Sequence, residues 1–293
     1  MLALYAMTLG LGALLLFWVQ PMFSKMVLPL LGGSPAVWSV AMVFFQAALL
    51  AGYLYAHLGH RYLRPKAQAI SHLVLLILAF AALPIAVSAG LQPPRDGHPV
   101  FWLLVLLTLS LGLPFVALAA TAPMLQSWFS YTGHRDAANP YILYAVSNFG
   151  SILALLAYPL LLEPFLTLRQ QSLAWAIGFT LLALLIGACG WTLMRHYQAH
   201  GADQRARDEV GLSDQVDWPR RLYWLALAFV PSSLLLGVTQ HISTDIAAAP
   251  LLWVVPLVLY LSTYVIVFAR RPIIPHRMAL FIQVPSVLIL ALL

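Results

Sequence analysis

The chain has 293 residues, 62% of them hydrophobic and only 8% Asp, Glu, Lys or Arg, which excludes a soluble enzyme, for want of polar surface, and a disordered chain, for excess of hydrophobicity. The formal net charge of +6 does not mark a nucleic-acid binder, because the basic residues are scattered between apolar runs rather than gathered in one patch. The one cysteine, Cys189, supports neither an internal disulfide nor a zinc cluster.

A hydrocarbon core of ~30 Å takes ~20 apolar helical residues, and about nine runs qualify. The first, Leu2 to Pro29, has no basic residue before Lys25 and is too long for the apolar core of a signal peptide, so it reads as a true span. The second is Pro35 to His57 and the third Ala69 to Ala89. The fourth, Val100 to Phe129, is expected to be interrupted at Pro114 and Pro123. The fifth is Tyr141 to Leu162 and the sixth Ser172 to Met194. A polar stretch follows, then the seventh at Leu222 to Thr239 and the eighth at Leu251 to Phe268. The ninth begins near Met278 and still runs at Leu293. Its ~16 residues reach roughly 24 Å, which is marginal for a span, so a truncated second half is expected. The runs are continuous rather than alternating, which indicates helices and not barrel strands.

A cytoplasmic N-terminus puts twelve of the fifteen basic residues in inside loops: Arg61, Arg64 and Lys66; Arg135; Arg195, Arg205, Arg207, Arg220 and Arg221; Arg270, Arg271 and Arg277. Lys25, Arg95 and Arg169 fall outside. This is the positive-inside pattern of a multi-pass inner-membrane protein. Residues 1–194 form a first half of six spans, 195–221 a cytoplasmic linker, and 222–293 the start of a second half. An internal echo fits two halves: Gln20, Lys25, Pro35 and Trp38 match Gln240, Asp245, Pro250 and Trp253 in order.

The turn GYLYAHLGHRYLRPK, Gly52 to Lys66, resembles a degenerate Gly-x-x-x-Asp-Arg-x-Gly-Arg-Arg loop of the major facilitator superfamily, with Ala56 and His57 where the Asp would stand. Four longer blocks carry a more specific likeness: Val19–His57, Thr121–Ser130, Asn139–Pro164 and Val230–Leu261. In order and content they are similar to the membrane region of bacterial fused major-facilitator/spermidine-synthase-like proteins. The resemblance implies an all-α, polytopic, major-facilitator-like bundle, followed in the family by a synthase-like domain. No strand, glycine-rich loop and helix unit with a downstream acid occurs here, so no catalytic residue or cofactor carries over, and an enzyme is not expected.

Ionisable groups in apolar helices are costly and mark functional candidates. Lys25, Glu163 and Asp245 qualify. Lys25 and Asp245, at matched places in the two halves, would face each other across a central cavity and bind a charged solute. The plainer reading has them snorkel at headgroup level. Glu163, before Pro164, reads as a surface or capping residue. Gln20, Gln46, Gln126, Asn148 and Gln240 lie among apolar neighbours, where helix packing competes with substrate contact. Near Gln20-Pro21 and Thr121-Ala122-Pro123 the helix is expected to loosen and free carbonyls. His241 and Asp245 are one turn apart and could form a proton-coupled pair. Tyr144, Ser147, Asn148 and Ser151 share one helix face, and small Gly150 allows close approach. His57, His60 and His72 are expected at the cytoplasmic interface beside arginines, a poor place for haem.

Two functions compete. One is a secondary transporter of a small charged solute, polyamine or amino-acid-like, embedded in the lipid bilayer and working by alternating access. The other is a non-transporting membrane anchor for a synthase-like domain.

Overall fold

The computed structural model describes residues 1–31, 35–87, 99–137, 141–199, 217–242, 254–267 and 275–292. Every regular element among them is helical. In chain order these are α1 (Leu2–Leu31), α2 (Pro35–Tyr62), α3 (Pro65–Ala79, then a 3-10 turn Phe80–Ala82) and α4 (Pro99–Ser130). Next come α5 (Tyr141–Ala157, then a π turn Tyr158–Leu162 and a short turn Glu163–Phe165) and α6 (Leu168–Ala199). The last are α7 (Trp218–His241), α8 (Val254–Val267) and α9 (His276–Leu292). Seven helices, α1 to α7, are long and apolar enough to cross a membrane. Large apolar side chains such as Leu50, Ile77, Leu109, Ile177 and Leu184 turn outward, each more than half exposed. Water would not tolerate that surface; lipid tails would.

The expected interruption of α4 does not occur. The helix runs unbroken through Pro114 and Pro123, as α1 runs through Pro21 and Pro29. Each proline removes one N–H, but packed neighbours and hydroxyl side chains can re-satisfy a membrane helix locally.

α1 is the centre of the first six helices. It packs against α5, α6 and α4; α2 packs on α4, and α3 on α4 and α6. Lipid offers no hydrophobic drive for helices to meet, so close backbone contact matters. A Cβ at Gly52 of α2 would lie 2.8 Å from the Val116 carbonyl of α4. At the α1–α5 crossing, Gly150 leaves no room for a Cβ against the Gly10 backbone. α8 packs along α5, and α7 touches α8 with Thr239 its one buried residue.

Long-range hydrogen bonds define the two ends of the bundle. At one, the Tyr5 hydroxyl donates to the Cys189 carbonyl at 3.2 Å, and Ser127 Oγ meets His60 Nδ1 at 3.0 Å. Trp128 Nε1 donates to Gln68 Oε1 at 3.1 Å there, and Tyr131 and Tyr197 make a ring contact. These contacts gather the Arg61–Lys66 turn, Arg135 and Arg195 at one end. At the other, Lys25 meets Glu163 and the Ser172 hydroxyl donates to the Ile85 carbonyl. Arg205, Arg207, Arg270 and Arg271 lie outside the described residues.

Candidate functional site

The site grows from a proline in α5. Pro159 has no N–H to give Leu155, and the helix widens there. The Glu163 amide donates five residues back, to the Tyr158 carbonyl. Such π turns hold one extra residue and often mark functional places. One residue is about 100° of helix rotation, so the π turn decides which way Glu163 faces. It faces α1, and its carboxylate Oε1 pairs with Lys25 Nζ, with the two side chains 30% and 24% exposed. Sequence reading gave Glu163 a surface or capping role; the structure keeps it part-exposed and adds an interhelical ion pair.

Helix α6 closes the site from above. Thr167 and Gln170 form a reciprocal cap at its start: the Gln170 amide donates to Thr167 Oγ1 at 3.3 Å, and the Thr167 amide donates to Gln170 Oε1 at 2.9 Å. That cap orients Gln171 inward. Its Nε2 donates to the carbonyls of Leu166 at 2.9 Å and Leu162 at 3.3 Å, which bracket Glu163. Gln171 and Tyr158 are both fully buried. Neither residue was singled out from sequence. The signal available for Tyr158 was the proline after it, and for Gln171 the Thr-x-x-Gln spacing just before it.

Deleting Leu161 should turn the π turn into an ordinary one and swing Glu163 off Lys25 by about 100°. A double-mutant cycle over positions 25 and 163, read from thermal midpoints, should give a coupling on the order of 1 kcal/mol in the natural sequence. In the deletion background the coupling should vanish.

The other candidates are dispersed. Gln20 folds back on its own helix, Nε2 donating to the Leu16 carbonyl at 3.3 Å. Asn148 does the same to the Tyr144 carbonyl at 2.9 Å and is buried. Gln46 is exposed on α2, Gln126 half-buried on α4, and Gln240 and His241 exposed at the end of α7. Asp245 lies outside the described residues, and with it both the Lys25–Asp245 and the His241–Asp245 readings.

The shared face of α5 has partners. Tyr144 makes an edge contact with Tyr264 of α8 at 6.0 Å, and the Tyr260 and Tyr264 hydroxyls lie 2.7 Å apart. Ser151 donates to the Ser147 carbonyl at 3.1 Å. α5 therefore meets α1 at Gly150 and α8 at Tyr144.

His72 departs from its expected interfacial place. It is fully buried, with Nε2 3.2 Å from Thr121 Oγ1. Tyr55 stacks on its ring and Trp128 meets it edge-on at 6.2 Å. Position 72 lies about 10 Å along α3 from its start, on the face turned to α4. Beside this network, a pocket of about 240 Å³ opens between α2, the start of α3 and α4, lined by Tyr53, His57, His60, Gln68, Met124 and Ser127 among others. Among the described residues no group of three His, Cys, Asp or Glu side chains could hold a metal ion.

No family model, curated protein or solved structure matches the chain.

Proposed function

We propose that this chain is a secondary-transporter-like module of the bacterial inner membrane, with its N-terminus cytoplasmic, moving a small charged solute by alternating access. The observation that carries the reading is the Lys25–Glu163 pair. Two ionisable groups are kept between apolar helices, at a π turn, at a cost that packing alone does not call for. The same helix α5 bears the seam with α8, the first helix of the second half to touch the first. A helix that holds an ion pair on one side and an inter-half contact on the other is suited to report occupancy to the rocking of the halves. The major-facilitator-like arrangement and the solute class, polyamine or amino-acid-like, belong to this proposal.

The purified chain in proteoliposomes should take up members of a panel of labelled polyamines and amino acids. Lys25→Ala and Glu163→Gln should each lower that uptake at least roughly tenfold, a loss of about 1.4 kcal/mol. Uptake unchanged in both variants would remove the pair from the mechanism, and no uptake of any solute would favour the anchor. One observation supports that second reading: α7 is almost wholly exposed, which leaves a surface for another body.

A further inference from the structure

No acid lines the pocket of about 240 Å³ at the basic end of the bundle, and its polar side chains carry spare hydrogens. One stripe of α2 supplies Tyr53, His57 and His60, at the i, i+4 and i+7 spacing of a single helix face. α4 supplies Ser127, and α3 the buried Gln68. Ser127 and a neutral His60 ring carry one O–H and one N–H between them, and their 3.0 Å contact uses one. The Gln68 amide nitrogen has two hydrogens, of which the bond to Leu63 uses one, while its oxygen already accepts from Trp128. The Tyr53 hydroxyl and the His57 ring have no hydrogen-bond partner among the described residues. Beside the pocket, the turn from α2 to α3 carries Arg61, Arg64 and Lys66, all exposed and without an ion-pair partner among the described residues. Arg61 stands four residues after His57 and shares its face. No Asp or Glu precedes Asp96 in the chain.

We propose that this pocket is an anion site that takes a phosphate ester, either the headgroup of an anionic lipid or a free phosphate from the adjoining water. Spare donors on three helices suit the oxygens of a tetrahedral anion better than the two of a carboxylate. The arginines and the lysine of the turn supply the charge, and hydrogen bonds from cations to phosphate are the strong kind. Basic pockets between membrane helices hold lipid head groups in this way. The volume equals roughly eight waters at ~30 Å³ each, which is room for a phosphate and a short polyol, and Ala56 and Met124 give the carbons an apolar wall. Ala56 and His57 stand where the resembled loop would carry an Asp, so no carboxylate of that loop competes for the donors. The site lies at the opposite end of the bundle from the Lys25–Glu163 pair and does not depend on the transporter reading.

Inorganic phosphate and phosphatidylglycerol are the two probes. In neutral detergent, phosphate should raise the thermal midpoint of the full chain above that in chloride of equal ionic strength, since a ligand of the native state stabilises it. Phosphatidylglycerol should stay on the chain in native mass spectra, where phosphatidylcholine, which has no net charge, does not. His57→Ala combined with His60→Ala should weaken binding of the retained probe at least roughly tenfold, and so should Arg61→Gln combined with Arg64→Gln. Arg169→Gln, at the other end of the bundle, should leave it unchanged. The buried Cys189 thiol should stay unreactive to maleimide in each variant, which shows that it is folded. Binding of phosphate alone identifies a free phosphate and binding of phosphatidylglycerol alone a lipid headgroup; either, or both together, upholds the site. Binding of neither probe overturns it. So does binding that survives the histidine pair, because the anion would then sit on the exposed turn and not in the pocket.

Discussion

Gly150→Leu should separate α1 from α5 and abolish the folded bundle, while Gly59→Ala should leave it intact. At Gly150 the first atom of any side chain meets the Gly10 carbonyl oxygen, carbonyl carbon and Cα. All three are backbone, so no rotamer change relieves the contact, and the helices themselves must part. Overpacking typically costs 1–3 kcal/mol, and about that much or more is expected here because two backbones must move. In lipid no hydrophobic force draws α1 and α5 back together. The effect should reach the ion pair, which lies 15 residues along α1 from Gly10 and depends on the same helix-to-helix distance. A Cβ at Gly59 meets nothing within 4 Å; alanine there should be neutral or stabilising by up to about 1 kcal/mol through helix propensity. Thermal midpoints in detergent, compared for the two variants, check both halves of the expectation. Equal midpoints for Gly150→Leu and the natural sequence would show that α1 and α5 do not meet as described.

The spans were legible because lipid imposes one simple rule, a long apolar run, and the chain obeys it from Leu2 to His241. The Arg61–Lys66 turn, Arg135 and Arg195 fall at one end for a similar reason, since helices that alternate in direction bring every second connection to the same end. The ion pair was not. Lys25 and Glu163 are 138 positions apart, and their meeting depends on one extra residue in one turn of α5. Periodicity arguments assume a constant 3.6 residues per turn, and they fail at the place where a proline changes that number. His72 was misread for a different reason. Its sequence neighbours place it near the basic turn, but depth in a bundle is set by which helix face a residue occupies, and the face of α3 that packs on α4 was not identified. The prolines of α4 were read as interruptions because proline's helix propensity is measured in water, where no neighbouring helix holds the backbone.

Trp128→Ala should be the most destabilising single substitution at the basic end of the bundle. Trp128 is fully buried and touches two members of one network. Its Nε1 donates to Gln68 Oε1, and its ring meets His72 edge-on. Gln68 in turn donates through Nε2 to the Leu63 carbonyl at 2.9 Å, which ties down the end of α2 just before the turn to α3. Removing the indole therefore leaves a cavity between α3 and α4 and an orphaned Gln68 oxygen. Loss of a buried Trp costs about 3–5 kcal/mol, and a stranded acceptor adds about 1–3. The chain carries its own reporter. Cys189 is the single cysteine and is buried, with Thr8 Oγ1 3.5 Å from its sulfur and the Tyr5 hydroxyl on its carbonyl. Tyr5 also contacts Phe129, the residue after Trp128. Loosening of α4 should thus open the thiol to a maleimide dye. If even about 3 kcal/mol is lost, the open population rises roughly a hundredfold, and the labelling rate with it. Gln68→Leu should give a smaller rise, since only the hydrogen bonds go and the volume stays. A Trp128→Ala chain that labels no faster than the natural sequence would mean that the buried network does not hold α2, α3 and α4 together.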